Sequence, residues 1–335
     1  MPAADGEQSV DVGWCPDRGI SRRFGLTVAL PRPCENEVVS AGCAWQCRGM
    51  ANRHFGKAGD VWKHLMLCEV LAALEPTHYA ESHAGSGAYD LVHDDERHYG
   101  VGHFLEVSSV IATLGASAYA HALHRFTSTG RARYPGSALQ AMTVLGDTSE
   151  YLFCDVDPVS ADDLRHWGRN LELSRCRVVE RDGPTAVAEW LDTCAGSRRV
   201  VHIDPFDPFA AQPGGLSAVQ LAAHVTESGS ALVYWYGFDS PGEQAWALAE
   251  IAQRTSTPLT CLDVLVTDET GQGTNGDLGA GTTPGTGFGV VLANVGEEVI
   301  ASCDRLGRDL IRTYGGKRLP DGQHGRLRFT RRQQV

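Results

Sequence analysis

The sequence contains no run of about twenty apolar residues, the length that an α-helix needs to cross a bilayer. No apolar segment follows the first methionine either, and Asp5 and Glu7 stand where a signal peptide would carry positive charge. These absences argue against a membrane protein and against export, so we expect a cytoplasmic protein. A monomer and a homodimer are both compatible with the sequence.

Paired metal ligands and an excess of basic residues are also missing. Of 10 cysteines, Cys43 and Cys47 are the closest, and no second cysteine or histidine pair completes a zinc site, so we predict no metal. The 29 Lys and Arg residues are outnumbered by 41 Asp and Glu residues, which gives a net charge of -12. Because binding to a phosphate backbone rests on Lys and Arg, this charge favours a small-molecule substrate, although a local basic patch could still bind RNA.

What the sequence does contain is an ordinary hydrophobic content of 42% in 335 residues, enough for a large core. Residues 1–49 mix charge, proline and glycine without a helical or strand period, and we expect a poorly ordered N-terminal extension there. Residues 50–320 carry the periodic segments and form the predicted main domain. Residues 321–335 are rich in arginine and are interpreted as a basic, solvated C-terminal tail.

Short apolar strands alternate with helical segments along the main domain. An amphipathic helix from Asp60 precedes a strand at 78–83, and further strands are predicted near 151–155, 177–183, 199–204, 230–238, 259–266 and 289–294. Strands separated by helices require crossover connections, which predicts a mainly parallel sheet with helices on both faces. The Gly- and Thr-rich segment 267–287 is either a mobile loop or a lid.

Polar residues stand where four of these strands end. The first strand runs into His83 and the turn glycines Gly85 and Gly87, which can let a ligand approach the backbone closely. The next three strands end at Asp155, Asp182 and Asp204. Ligands of open parallel sheets bind at this edge, so the set predicts a binding site. For each aspartate alone, capping of the following helix is an equally good explanation.

The region from Met50 to the C-terminus resembles the RlmJ-type family of S-adenosylmethionine-dependent methyltransferases, which modify an adenine N6 in large-subunit ribosomal RNA. The resemblance is carried, in this order, by Arg53-His54-Phe55, Ala58-Gly59, Val61-Trp62-Lys63-His64, Ser82-His83-Ala84-Gly85-Ser86-Gly87-Ala88-Tyr89, Tyr134-Pro135-Gly136-Ser137, Cys154-Asp155, Arg181-Asp182-Gly183 and Ile203-Asp204-Pro205.

The resemblance implies a class I, Rossmann-like methyltransferase fold with a mainly parallel seven-stranded sheet and a helical insertion after the first strand, at about 90–147. It implies S-adenosylmethionine as cofactor and Asp204 facing the acceptor amine. Lys63 is placed at the substrate mouth, where a solvated helix lysine is the alternative interpretation. The implied cofactor-binding residues are His64, His83, Gly85, Gly87, Ser137, Asp155, Asp182, Gly183 and Asp204.

The chain departs from the family in its catalytic motif. The family carries Asp-Pro-Pro-Tyr, whereas this chain reads Asp204-Pro205-Phe206-Asp207. The ring that stacks on a base is missing unless Phe206 or Phe209 replaces it, and Asp207 adds a negative charge where a flat base would lie. A solvated turn residue is the alternative interpretation of Asp207.

Two aromatic residues of a later strand, Trp235 and Tyr236, either wall the acceptor pocket or fill the core. Together with Pro205, Phe206 and Asp207 they are the predicted substrate-binding residues, while Asp204 and Lys63 are the predicted catalytic ones.

Three functions are compatible with this pattern. The first is an S-adenosylmethionine-dependent methyltransferase acting on a small molecule, preferably an amine, in specialised metabolism. The second is N6-methylation of ribosomal RNA adenine, which would require a basic patch on the insertion. The third is a cofactor-binding relative without catalysis. Candidates for the basic patch are Arg97, Arg125, Arg131 and Arg133.

Overall fold

The computed structural model describes residues 55–128, 132–194, 196–267, 286–315, 317 and 326–334. The predicted extension 1–49, almost all of the segment 267–287 and the motif residues Arg53 and His54 lie outside these ranges. No helix of the described ranges is both long and apolar enough to span a membrane.

The described elements follow one another in this order: α1 (Ala58–Leu74), β1 (His78–Glu81), β2 (Ala88–Asp90), α2 (Asp95–Arg97), a π-helical turn (His98–Gly102), α3 (His103–Ser108), α4 (Ala112–Gly115), α5 (Ala118–Thr127), β3 (Arg133–Pro135), α6 (Ser137–Leu145), a 3-10 turn (Gly146–Thr148), β4 (Glu150–Cys154), α7 (Pro158–Asn170), β5 (Cys176–Val179), α8 (Gly183–Thr193), β6 (Arg199–Ile203), α9 (Ala218–Glu227), β7 (Ala231–Phe238), α10 (Pro241–Ala252), β8 (Leu259–Thr267), β9 (Gly287–Ala293), α11 (Glu297–Thr313) and β10 (Arg326–Gln334).

The central sheet has eight strands in the order β10-β8-β9-β7-β6-β1-β4-β5. The five strands from β7 to β5 are parallel, while β9 runs antiparallel to both β7 and β8, and β10 runs antiparallel to β8. The expected α/β sheet with its parallel half is therefore confirmed. The expected number of seven strands is wrong, because β10 adds an eighth at one edge.

The extra strand β10 comes from the segment that the sequence assigns to a solvated basic tail. Leu327 and Phe329 pack against the core, and the four arginines of the strand conceal this alternation. Arg332 donates through Nε to Oδ2 of the buried Asp263 at 2.9 Å. A charged strand is thus held in the sheet by two apolar side chains and a buried carboxylate.

Helices cover both faces of the sheet because successive strand residues point to opposite sides. On β1, Tyr79 belongs to the core formed with α1, α5, α6 and α11, whereas Ala80 belongs to the core formed with α8, α9 and α10. Helix α1 is buried on nearly every side, including at Lys63 and His64. It therefore carries polar residues into the interior next to the ends of β1 and β6.

The helical insertion is bounded by a short antiparallel ribbon, in which Ala88 pairs with Pro135 and Asp90 with Arg133. Helices α2 to α5 lie between these two strands in the chain. His103 joins the insertion to the end of α11: its Nε2 lies 2.7 Å from Thr313 Oγ1, and Lys317 Nζ donates to its Nδ1 at 2.6 Å.

His103 makes stability depend on pH. Burial, assisted by the Lys317 ammonium, lowers the pKa of His103 to about 4. An unfolded histidine has a pKa of about 6.5, so the unfolded state binds more protons between these values. The contribution to stability is therefore complete above about pH 6.5 and is lost as the pH falls toward 4. We expect a loss of about 2 kcal/mol between pH 7 and pH 5, measured by urea denaturation.

The matched variants are His103→Gln and His121→Gln, because His121 is an exposed histidine of α5. His103→Gln should reduce the difference in the free energy of unfolding between pH 7 and pH 5, and His121→Gln should leave this difference unchanged. Equal pH dependence in His103→Gln and the parent would rule out His103 as its source.

Candidate active site

The turn after β1 is held by the first of the predicted aspartates. Gly85 adopts a positive φ of 62°, which glycine tolerates best, and its N–H donates to Asp155 Oδ2 at 2.8 Å. Asp155 Oδ1 accepts the N–H of Asp157 at 2.8 Å, whereas the side chain of Asp157 caps α7. Helix capping is therefore the role of Asp157, and Asp155 instead connects the end of β4 to the glycine turn.

The second predicted aspartate is a helix cap. Asp182 Oδ2 accepts the N–H of Thr185 at 3.2 Å and its hydroxyl at 2.5 Å, at the start of α8. The next residue, Gly183, lies so close to β1 that a Cβ built on it would be 1.7 Å from the carbonyl oxygen of Ser82. This contact brings the start of α8 against the backbone that leads to His83.

The third aspartate forms a partly buried ion pair. Lys63 Nζ lies 2.6 Å from Asp204 Oδ2 and 3.1 Å from Asp60 Oδ1. Although burial alone would lower the pKa of Lys63, the two carboxylates raise it above its ordinary value. Burial would likewise raise the pKa of Asp204, but the nearby Lys63 ammonium holds it below the usual range. Both groups are therefore charged at neutral pH, and Lys63 is not a solvated helix lysine.

His83 completes this side of the sheet edge. Its Nδ1 lies 2.9 Å from Ser82 Oγ. Burial lowers its pKa, against the opposing effect of the Asp204 and Asp182 carboxylates, so the imidazole is neutral at neutral pH. His83 at the end of β1 thus interacts electrostatically with Asp204 at the end of β6 and with Asp182 at the start of α8. Asp204 in turn pairs with Lys63 of α1.

His64 faces a buried cluster formed with the insertion. Gln140 Nε2 donates to Pro135 O at 2.7 Å and to His64 Nδ1 at 2.8 Å, and Tyr134 OH lies 2.7 Å from the same nitrogen. Burial, with the positive charge of Lys63, lowers the pKa of His64 far below its usual value. Because the amide nitrogen of Gln140 can only donate, Nδ1 accepts and the neutral ring carries its hydrogen on Nε2.

Ser137 starts α6 beside that cluster. Its hydroxyl donates to Glu81 Oε2 at 2.9 Å.

Gly87, another predicted cofactor residue, packs against Trp167: a Cβ on Gly87 would lie 2.5 Å from Trp167 Cδ1. The contact explains this glycine by packing alone.

The predicted acceptor residues lie in two segments, the loop that follows Asp204 and strand β7. In the loop, the Phe206 side chain is 96% exposed. Asp207 Oδ1 accepts the N–H groups of Phe209 and Ala210 at 2.9 and 3.2 Å. Asp207 is therefore an exposed turn residue, as the alternative interpretation holds. Phe209 stacks on Trp246 with ring centroids 4.0 Å apart.

The two aromatic residues of β7 have different surroundings. The ring centroid of Trp235 lies 5.4 Å from Lys63 Nζ, and the ring packs against Gly59 of α1. Tyr236 is buried, and its hydroxyl donates to Asp263 in the network of β10. Trp235 thus lies beside the candidate site, whereas the polar atom of Tyr236 is directed to a structural contact.

An open groove of about 560 Å³ lies beside the glycine turn. Arg97 and Arg133, two candidates for a basic patch, line it, but each makes an ion pair with a neighbouring acid, Asp94 and Asp90 respectively. Arg131 lies outside the described residues. The groove is lined by Phe55, Ser86, Ala88, Tyr89, Asp90, Val92, Arg97 and Arg133.

Several polar residues of this region were missed at the level of sequence. Asp60, Glu81, Gln140 and His202 all contact predicted site residues or their partners. At the level of sequence Asp60 marks only the start of the predicted helix, although its spacing of three residues from Lys63 is a usable signal. The other three have no local signal, because their partners are distant in the chain.

No family model matches the chain, and no curated protein matches it. Among solved structures, protein LPL1258 from Legionella pneumophila strain Philadelphia 1, described by the family name DUF519, gives a TM-score of 0.62 at 18% identity, over 83% of this chain and 98% of its own. A probable spermidine synthase from Corynebacterium glutamicum gives a TM-score of 0.32 at 15% identity, over 58% and 63% of the two chains, which is too low to support an argument.

The likeness to LPL1258 extends over nearly the whole of that protein and concerns the fold alone. In this chain the sheet has five parallel strands with β1 at their centre, and β9 runs antiparallel beside β7. The chain therefore has an α/β fold similar to that of LPL1258, with a mixed eight-stranded sheet.

Proposed function

We propose that this protein is an S-adenosylmethionine-dependent methyltransferase whose acceptor is a small amine. The observation that carries the proposal is the ion pair between Lys63 and Asp204, with Nζ and Oδ2 2.6 Å apart at the end of β6. A carboxylate that already binds an ammonium group, next to Pro205 and close to His83, has the chemistry to bind the nitrogen of an acceptor.

The charges of the site fit this cofactor. Asp60, Asp155, Asp182 and Asp204 contribute carboxylates, Lys63 contributes one ammonium, and the lowered pKa values leave His64 and His83 neutral. The net charge is therefore negative, which favours a ligand that carries a sulfonium and an amino group. When bound, S-adenosylmethionine supplies an electrophilic methyl group.

The residues that would hold the cofactor fall into two sets. Asp155, held between the N–H groups of Gly85 and Asp157, would accept the ribose hydroxyls, and Asp182 and Gly183 would border the adenine. His83, Ser137 and His64 would line the amino-acid end. Gly87 would only shape the turn, because its packing against Trp167 already accounts for it.

Asp204 would orient the acceptor. Because the lowered pKa keeps Asp204 ionised, its carboxylate accepts a hydrogen bond from the acceptor N–H and directs the nitrogen lone pair toward the methyl group. The same negative charge stabilises the positive charge that develops on the nitrogen. The carbonyl of Pro205 is a second acceptor, and the exposed Phe206 ring is the nearest aromatic group along the chain.

Lys63 would act as a counter-charge and not as a base. Its raised pKa keeps the ammonium protonated, so it cannot remove a proton from the acceptor. It fixes the carboxylate of Asp204 through a short ion pair and is itself held by Asp60. The acceptor proton would then leave to solvent at this open edge.

The test has two parts. Calorimetry with S-adenosylhomocysteine should show saturable binding with one site per chain. Transfer of a labelled methyl group from S-adenosylmethionine should then be measured with a panel of small primary amines and, separately, with ribosomal RNA fragments. We expect labelling of an amine and not of RNA, since Arg97 and Arg133 are paired with acids.

Each other outcome identifies a different error. Labelling of RNA alone would contradict the proposal that the acceptor is a small amine, and it would support the adenine-N6 alternative. Binding without transfer to either class would support a non-catalytic relative. Absence of binding would overturn the cofactor itself.

A further inference from the structure

Tyr89, the middle residue of β2, makes a second contact that holds the glycine turn after β1. Its hydroxyl accepts the N–H of Ser86 at 3.0 Å. A Cβ built on Gly85 would lie 2.7 Å from the same oxygen, so only glycine leaves room for the hydroxyl at this position. The space beside Gly85, where the sequence predicts the close approach of a ligand, is therefore occupied by the hydroxyl of Tyr89.

The ring of Tyr89 is held in place by stacking. Phe55 packs on it with ring centroids 4.7 Å apart and an angle of 13° between the ring planes. The guanidinium carbon of Arg97 lies 4.2 Å from the ring centroid of Phe55. Phe55, Tyr89 and Arg97 all line the open groove beside the turn. The packed ring therefore fixes the position of the hydroxyl, and a ligand can reach Tyr89 from the groove.

The hydroxyl of Tyr89 also has a hydrogen to donate. A phenol both accepts and donates a hydrogen bond, and Ser86 uses the accepting side. Within the described part of the chain, the hydrogen of this hydroxyl has no acceptor. Burial raises the pKa of Tyr89 above its ordinary value, so the hydrogen stays on the oxygen at neutral pH. Tyr89 can thus donate one hydrogen bond to a ligand.

Other donors near the turn are already engaged. The N–H of Gly85 donates to Asp155, and the hydroxyl of Ser137 donates to Glu81. The ammonium group of Lys63 is paired with two carboxylates. A ligand carboxylate that enters here needs a further donor, because a charged group removed from water must be hydrogen-bonded.

The Tyr89 hydroxyl lies within electrostatic reach of both parts of the proposed site. It feels the charge of Asp155, which would bind the ribose, and those of Lys63 and Asp60 at the acceptor end. We propose that Tyr89 is a further cofactor-binding residue, whose hydroxyl donates a hydrogen bond to the carboxylate of the amino-acid end of S-adenosylmethionine. The inference rests on the proposed function and assigns a donor to this end of the cofactor.

The test is calorimetry with two ligands, S-adenosylhomocysteine and its decarboxylated analogue, which keeps the adenosine, the thioether and the amine. Tyr89→Phe should bind S-adenosylhomocysteine about tenfold to a hundredfold more weakly than the parent, the change expected for one hydrogen bond to a charged group. It should bind the analogue nearly as well as the parent does. A loss confined to the ligand with the carboxylate separates this bond from a general effect on the glycine turn.

The matched control is Tyr99→Phe, which removes a hydroxyl from the nearby insertion. Tyr99 packs against Tyr314 with ring centroids 4.9 Å apart, and its backbone carbonyl accepts the Tyr314 hydroxyl at 2.9 Å, so the substitution keeps both contacts. Its affinity for both ligands should equal that of the parent. If Tyr89→Phe does not fold, Phe55→Leu decides the question, because loss of the stacking ring releases Tyr89 and should weaken binding of S-adenosylhomocysteine alone.

The adverse results can be told apart. Tyr89→Phe may bind S-adenosylhomocysteine as tightly as the parent, or it may lose equal affinity for both ligands. Either result shows that Tyr89 does not bind the carboxylate, and the proposed function stands without it. A parent that binds neither ligand overturns the proposed function and the inference with it.

Discussion

Replacing Asp204 with asparagine is expected to lower the rate of methyl transfer by about a hundredfold to a thousandfold, the effect of removing one preorganised electrostatic group from an active site. The substitution keeps the size of the side chain but removes the charge that would orient the acceptor and stabilise the developing ammonium. Lys63 keeps its contact with Asp60 at 3.1 Å, so no ammonium is left without a carboxylate. Affinity for S-adenosylhomocysteine should change much less than the rate.

The measurement combines single-turnover transfer of a labelled methyl group with calorimetry of the same preparation. Asp162→Asn is the matched control, because Asp162 is an exposed acid of α7 that pairs only with Arg165 among the contacts of the described residues. It should leave both quantities unchanged. Full activity in Asp204→Asn would show that Asp204 has been assigned the wrong role.

Gly183→Ala is expected to abolish cofactor binding and to destabilise the fold by about 3 kcal/mol, at the upper end of typical overpacking effects. The added Cβ would lie 1.7 Å from Ser82 O and 2.8 Å from Ser82 Cα. These are backbone atoms, so the conflict cannot be relieved by rotating a side chain. The end of β1 or the start of α8 must move, and both carry predicted cofactor residues.

Urea denaturation and binding of S-adenosylhomocysteine measure the two effects. Gly242→Ala is the control, since a Cβ on this exposed glycine of α10 would approach no nearer than 3.8 Å to Ser240 Oγ. Alanine should be neutral or slightly stabilising there because it favours a helix. A Gly183→Ala protein with parental stability would show that α8 is not held against β1 as described.

Local sequence patterns were sufficient for the elements that depend on neighbouring residues. The apolar runs of β1, β4, β6 and β7 and the helices between them follow from alternation and crossover length. The acids at the strand ends follow from the same reasoning, because every parallel strand ends at the same edge. The segment of β10 did not follow, since its pairing partner β8 lies about sixty residues away in the chain and four arginines hide its apolar side.

The sequence by itself therefore determined the α/β class, the glycine turn and the sheet edge at which polar residues collect. Only the tertiary structure decided which acid does what: Asp182 caps a helix, Asp155 holds the turn, and Asp204 pairs with Lys63. It also brought Glu81 against His202. The physical reason is that a charge acts through distance in space, and these partners lie far apart along the chain, where no local period connects them.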